Sequence, residues 1–133
     1  MKLLLDTHVW VWSQDDPSRL GLKTRKILMN IENSIAVSVV STLEIARLAA
    51  LGRLRFSMEV TQWVNKSLRL LQASTVSITH EIAIEAYRFP EPFHKDPADR
   101  LLVSTARVGG FQIITADERI LIYPHVSSID ARR

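Results

Sequence analysis

Short apolar runs, each broken by segments of helical period, limit the folds open to this chain more than any other feature. Leu3-Leu4-Leu5 stops at Asp6, and Ile35 to Val40 leads into Ser41. Thr75 to Ile78 precedes Thr79, and Phe111 to Thr115 ends two residues before Asp117. Runs of this length, rich in β-branched residues, read as strands buried within a sheet. Between them lie helical patterns. Leu20, Thr24, Ile27, Leu28 and Ile31 share one face, and Val60, Trp63, Val64, Leu68 and Leu71 form another stripe. Ser41-Thr42-Leu43-Glu44 fits a capping box, opening a helix stopped by Gly52. Thr79 caps a helix to Tyr87 with Ile82, Ala83 and Ala86 inward, and Val126 to Ile129 reads as a last edge strand. Strands alternating with helices imply an α/β fold with a mainly parallel sheet and right-handed crossovers. Such sheets bind ligands beyond the carboxyl ends of their strands.

A chain of 133 residues is expected to form one domain, spanning 1–133. It has no cysteine, which excludes disulfides, thiolate nucleophiles and cysteine zinc sites and fits a cytoplasmic protein. Its start, Met1 to Asp6, is too short and too soon charged for a signal peptide or membrane span, so no membrane partner is expected. The net charge of +3 permits nucleic-acid binding without requiring it. Lysines and arginines are spread along the chain while several acids follow apolar runs directly, a layout that suits a basic surface around an acidic pocket.

Those acids carry the chemistry. Asp6 follows the first strand, Glu44 lies in the helix after the second, and Asp117 follows the fourth. Asp99 lies one turn into the helix leading to that fourth strand. That helix begins at His94-Lys95-Asp96-Pro97-Ala98-Asp99-Arg100, with Asp96 as N-cap and Pro97 in the first helical position. The two prolines of Phe89-Pro90-Glu91-Pro92 make a stiff loop before it. Each acid has a local explanation, as a cap, a first-turn residue or a capping-box member. None of these explains why several strand ends carry one. Carboxylates crowded at one sheet edge repel, and a divalent cation removes that penalty. Oxygen ligands without cysteine favour Mg²⁺ or Mn²⁺. The reaction such a site suits is hydrolysis of a phosphodiester by water.

Four stretches together carry a family resemblance: Leu4 to His8, Ser38 to Ile45, Phe93 to Arg100, and Ile114-Thr115-Ala116-Asp117. In order and spacing they resemble the motifs of PIN-domain ribonucleases, most nearly the VapC-type toxins of type II toxin–antitoxin pairs. The resemblance implies a three-layer fold with a five-stranded parallel sheet, a Mg²⁺- or Mn²⁺-dependent endoribonuclease acting on RNA, a homodimer, and inhibition by a VapB-type antitoxin. It makes Asp6 and Asp99 the principal metal ligands, with Glu44 and Asp117 completing the catalytic set. Thr7, Ser41, Asp96 and Thr115 are supporting residues. His94 is a candidate for substrate phosphate or a structural hydrogen bond, and Arg100 for RNA contact or an ion pair with Asp96. Trp63 on the stripe of Val60, Trp63, Val64 and Leu71 reads first as core packing, and the second reading makes that stripe, beside Leu43 and Leu48, a groove for an antitoxin helix. The alternative is a PIN fold that binds RNA or protein without cutting. A receiver-type signalling domain is disfavoured, because the third strand ends in Ser77-Ile78-Thr79 with no acid to accept phosphate.

Overall fold

At the centre of the sheet lies β1 (Lys2–Leu5), flanked by β2 (Ser34–Ser38) and then β3 (Ser74–Val76) on one side. On its other side lie β4 (Gln112–Thr115) and then β5 (Ser128–Asp130). The order is β3-β2-β1-β4-β5 and every pairing is parallel. The structure is a computed structural model describing residues 1–133. Its helices are α1 (Thr7–Asp15), α2 (Leu22–Met29), α3 (Val39–Ala50), α4 (Val60–Leu71), α5 (His80–Glu85), α6 (Pro97–Gly109) and α7 (Glu118–Leu121).

The strand alternation builds the layers. Leu4 pairs in register with Ala36 on one side and Ile113 on the other. These three point to one face, against Leu102, Val103 and Ala106 of α6 and Ile120 of α7. Leu3 and Leu5 point to the opposite face, with Val9 and Trp10 of α1, Ile45 of α3 and Trp63 of α4. Both faces of the sheet are therefore buried, which is why its central strands are apolar without alternation. From β1 the chain works outward through β2 to β3, then returns to place β4 on the far side of β1. The carboxyl ends of β1 and β4 thus flank a topological switch point, where a crevice opens.

Several local expectations change. β2 ends at Ser38, whose side chain accepts the Val40 amide and caps α3. Ser41 is therefore inside the helix and the capping box with Glu44 does not form; sheet and core packing carry the β-branched Val39-Val40 into the first turn despite their propensity. α2 stops at Met29, which leaves Ile31 91% exposed beyond the helix instead of on its buried face. Ala83 is exposed too, while Ile82 and Ala86 pack inward as expected. The last strand falls at Ser128–Asp130, two residues later than expected at its start.

On the α4 stripe Trp63 belongs to the core, while Leu43 of α3 stays exposed. Trp63 is 4% exposed, stacks on Phe56 at 4.6 Å, lies 5.3 Å from Trp10, and donates from Nε1 to Asp15 at 3.1 Å. Val60, Val64, Leu68 and Leu71 pack against the same cluster. No helix is long and apolar enough to cross a membrane.

Leu5→Ala is expected to cost about 2–5 kcal/mol in urea denaturation, as a deeply buried Leu truncation does. Ile31→Ser is expected to stay within about 0.5 kcal/mol. Equal costs would contradict this assignment of faces.

Candidate active site

Asp6 comes first because the end of β1 delivers it to the crevice. Its Oδ1 accepts the Val9 amide at 3.1 Å, so it caps α1, while Oδ2 accepts the hydroxyl proton of Thr115. Thr115, the last residue of β4, also accepts the Asp117 amide at 3.0 Å. One buried hydroxyl thus ties together two acids 111 positions apart in the chain. Thr7 does the same for α3: its hydroxyl donates to Glu44 Oε1 at 2.6 Å and lies 3.0 Å from the buried Ser41 Oγ. Ser41 thus meets Thr7 from within α3.

Asp96 caps α6, accepting the Ala98 amide at 2.9 Å, and Asp99 follows one turn in. Asp117 caps α7 through the Arg119 amide at 2.9 Å. Asp6, Glu44, Asp96, Asp99 and Asp117 all line one cavity of about 290 Å³. The acids that the chain scatters are brought together at the switch point.

Their crowding has electrostatic consequences. Burial pushes the Asp6 carboxyl up, against the Thr115 and Val9 hydrogen bonds that favour its charged form. Burial likewise raises Glu44, with Asp96 and Asp6 adding repulsion against the Thr7 bond. Asp99 is raised from 3.8 to about 7, by burial and then by Asp96, Asp117 and Glu44. Asp117 goes the other way. Burial would raise it, but the hydrogen bonds and charge of Arg119 outweigh that and lower it.

Arg119, from α7, is a residue the sequence reading did not single out. It reaches Asp117 at 3.1 Å and Asp99 at 3.6 Å, with another nitrogen 3.5 Å from His94 Nδ1. A basic residue two positions after a capping acid was the available signal, but that pattern is common on helix surfaces. His8 and Trp12, on α1, also line the cavity.

His94 Nε2 lies 3.0 Å from Asp99 Oδ2 but off the line a ring N–H needs, so this buried nitrogen has no aligned hydrogen-bond partner. His94, Asp99 and Asp117 each present a ligand atom within 4.8 Å of the others. Hard oxygen donors around an orphaned imidazole nitrogen fit a divalent cation.

Arg100 does not face the cavity, so neither of its expected roles stands. It is 4% exposed. Its Nε donates to the Ala86 carbonyl at 2.8 Å, and its remaining nitrogens to the Phe93 and His94 carbonyls and to Glu91 Oε1. The guanidinium stacks on Phe89 and Tyr87, 4.7 Å from each ring. An arginine in an x-Asp-Arg motif reads as surface charge in sequence. Here it fastens the His94 loop to the end of α5.

These features define a PIN domain: an all-parallel sheet of this order with acids gathered at the β1/β4 switch point. A sequence model of the family described as PIN domain matches residues 3–125, and the chain belongs to that family. It is 32% identical over 123 residues to Ribonuclease VapC22 of Mycobacterium tuberculosis (strain ATCC 25618 / H37Rv), covering 92% of each chain. The fold is similar to the crystal structure of VapBC2 from Rickettsia felis bound to a DNA fragment from its promoter. That match has a TM-score of 0.69 and 15% identity over 97% of this chain and 98% of the other. FitAcB from Neisseria gonorrhoeae is similar too, with a TM-score of 0.66 and 16% identity over 97% of each chain.

A carboxyl with a raised native pKa holds its proton more tightly when folded. Stability contributed by Asp99 therefore falls as pH rises from about 3.8 to about 7, and the full cost persists above that window. In chelator at pH 8, Asp99→Asn is expected to melt above the native protein in calorimetry. A lower melting temperature would contradict the crowding. Arg100→Ala is expected to lose about 2–4 kcal/mol in urea denaturation, because several carbonyls lose their donor. Arg100→Lys should recover only part of this, having no planar fork.

Proposed function

We propose that this protein is a metal-dependent endoribonuclease that hydrolyses RNA phosphodiester bonds, and the toxin of a toxin–antitoxin pair. The observation that carries the reading is the single cavity lined by Asp6, Glu44, Asp99 and Asp117, in which Asp99 is pushed to about 7. A divalent cation held among these carboxylates would offset the charge that protonation of Asp99 and pairing with Arg119 otherwise relieve. The 32% identity to a ribonuclease over most of the chain supports the same substrate class.

Asp6 and Asp99 are the principal holders of a Mg²⁺ or Mn²⁺ ion, with Asp117 and Glu44 contributing directly or through water. An ion held there by these carboxylates would supply Lewis acidity toward a water nucleophile and the phosphoryl oxygens. The protein's own groups set the geometry. Thr115 fixes the Asp6 carboxylate toward the crevice, Thr7 fixes Glu44, and the α6 cap at Asp96 fixes the turn that carries Asp99. Arg119, 59% exposed and paired with Asp117, bears a positive charge at the rim where a phosphate would enter. His94, backed by its loop, is placed to hold a proton or a phosphate oxygen beside Asp99.

The partners of this reading are RNA, a VapB-type antitoxin and a second copy of the chain in a homodimer. The similar structures include toxin–antitoxin complexes, one of them from Klebsiella pneumoniae at a TM-score of 0.64, which supports the antitoxin. In an RNA cleavage assay with Mn²⁺, Asp6→Asn and Asp99→Asn are each expected to lose about 100-fold or more of the rate. Full activity in either variant would refute the site. Absence of any metal-dependent cleavage by the native protein would instead favour a PIN fold that binds without cutting.

A further inference from the structure

Beside the acidic cavity lies a second one of about 510 Å³ that the reaction as described does not use. Phe93, Ile122, Tyr123, Pro124 and His125 form its walls. It adjoins the acidic cavity, since Arg119 lines both. His94 stands between them: its Nε2 is 3.0 Å from Asp99, while its ring lies 4.5 Å from that of Phe93.

We propose that this second cavity receives one unstacked nucleobase of a single-stranded RNA whose scissile phosphate lies over the carboxylates. The inference rests on the nuclease reading and adds to it a base subsite. Three observations carry it. First, three of the wall residues, Phe93, Tyr123 and His125, are planar rings packed on one another. Tyr123 packs edge-on to Phe93 at 5.1 Å and to His125 at 5.4 Å, and its hydroxyl donates to the Pro90 carbonyl at 2.6 Å. Arg100 holds the Phe93 and His94 backbone from beneath. Such prearranged rings suit a base, which every nucleotide can offer as a flat π-face.

Second, the opening is apolar and uncovered, with Ile122 74% exposed at the rim. Glu91 also lines the cavity, but its carboxylate is already engaged by Arg100 and by the Phe93 amide. Third, Arg119 sits on the seam between the two cavities. A cation there faces the backbone phosphate linking a nucleotide in one cavity to its neighbour over the other. Only a strand with splayed bases can enter, so duplex RNA is excluded.

The test uses the double variant Ile122→Ala/His125→Ala, both positions being exposed and outside the core. The readouts are Mn²⁺ affinity and binding of RNA oligonucleotides with Ca²⁺ in place of Mn²⁺. Each oligonucleotide carries an abasic residue at one position near the cleaved bond. The proposal expects the double variant to bind intact RNA about 10-fold more weakly with unchanged Mn²⁺ affinity. One abasic position should weaken the native protein by a similar factor and the double variant no further. RNA binding equal to native, or abasic effects equal in both proteins, overturns the base subsite. Loss of antitoxin binding with RNA binding intact also overturns it, in favour of a peptide occupant. A native protein that neither takes up Mn²⁺ nor cuts RNA overturns the nuclease reading, and the subsite falls with it.

Discussion

Like charges forced together at the open end of a parallel sheet are the constraint on which this molecule turns. Asp6 and Asp117 are anchored by β1 and β4, the two strands that part at the switch point. Glu44 and Asp99 come in on α3 and α6, which pack on the sheet through Ile45 and Leu102. None of these backbones can retreat without opening a buried layer. Burial and repulsion together are therefore expressed in protonation, with Asp99 raised to about 7, and not in structure.

Three devices keep the arrangement in place. Buried threonine hydroxyls bridge the acids and aim their oxygens, Thr115 between Asp6 and Asp117 and Thr7 toward Glu44. Helix caps take one oxygen from each of Asp6, Asp96 and Asp117, while the other oxygen of Asp6 accepts from Thr115 and that of Asp117 from Arg119. Arg100, hidden beneath the loop, holds Phe93 and His94 on the boundary between the acidic cavity and the aromatic one. The guanidinium of Arg119 supplies the positive charge that the carboxylates lack.

Four of the parallel strands were legible because short apolar runs have few other uses in a chain of this length; the fifth is decided by its pairing with β4. The convergence of the acids followed from strand-end positions. What sequence could not resolve depended on which side chain wins a backbone group. Ser38 and Ser41 are both competent N-caps, and the choice of Ser38 was made by where β2 stops pairing with β1 and β3. Trp63 sits on an amphipathic stripe whether that stripe meets a partner or the protein's own core, and only the position of Phe56 and Trp10 decides. Arg100 and Arg119 look alike in sequence, yet one is locked under aromatic rings and the other hangs over the acids. Periodicity carries no information about that difference.

Anomalous diffraction from a crystal equilibrated with Mn²⁺ tests the central claim most directly. The account requires a manganese peak in the cavity between Asp6 and Asp99, with Arg119 drawn back from Asp99. A cavity still closed by Arg119 at saturating Mn²⁺, with no peak among the carboxylates, would contradict it.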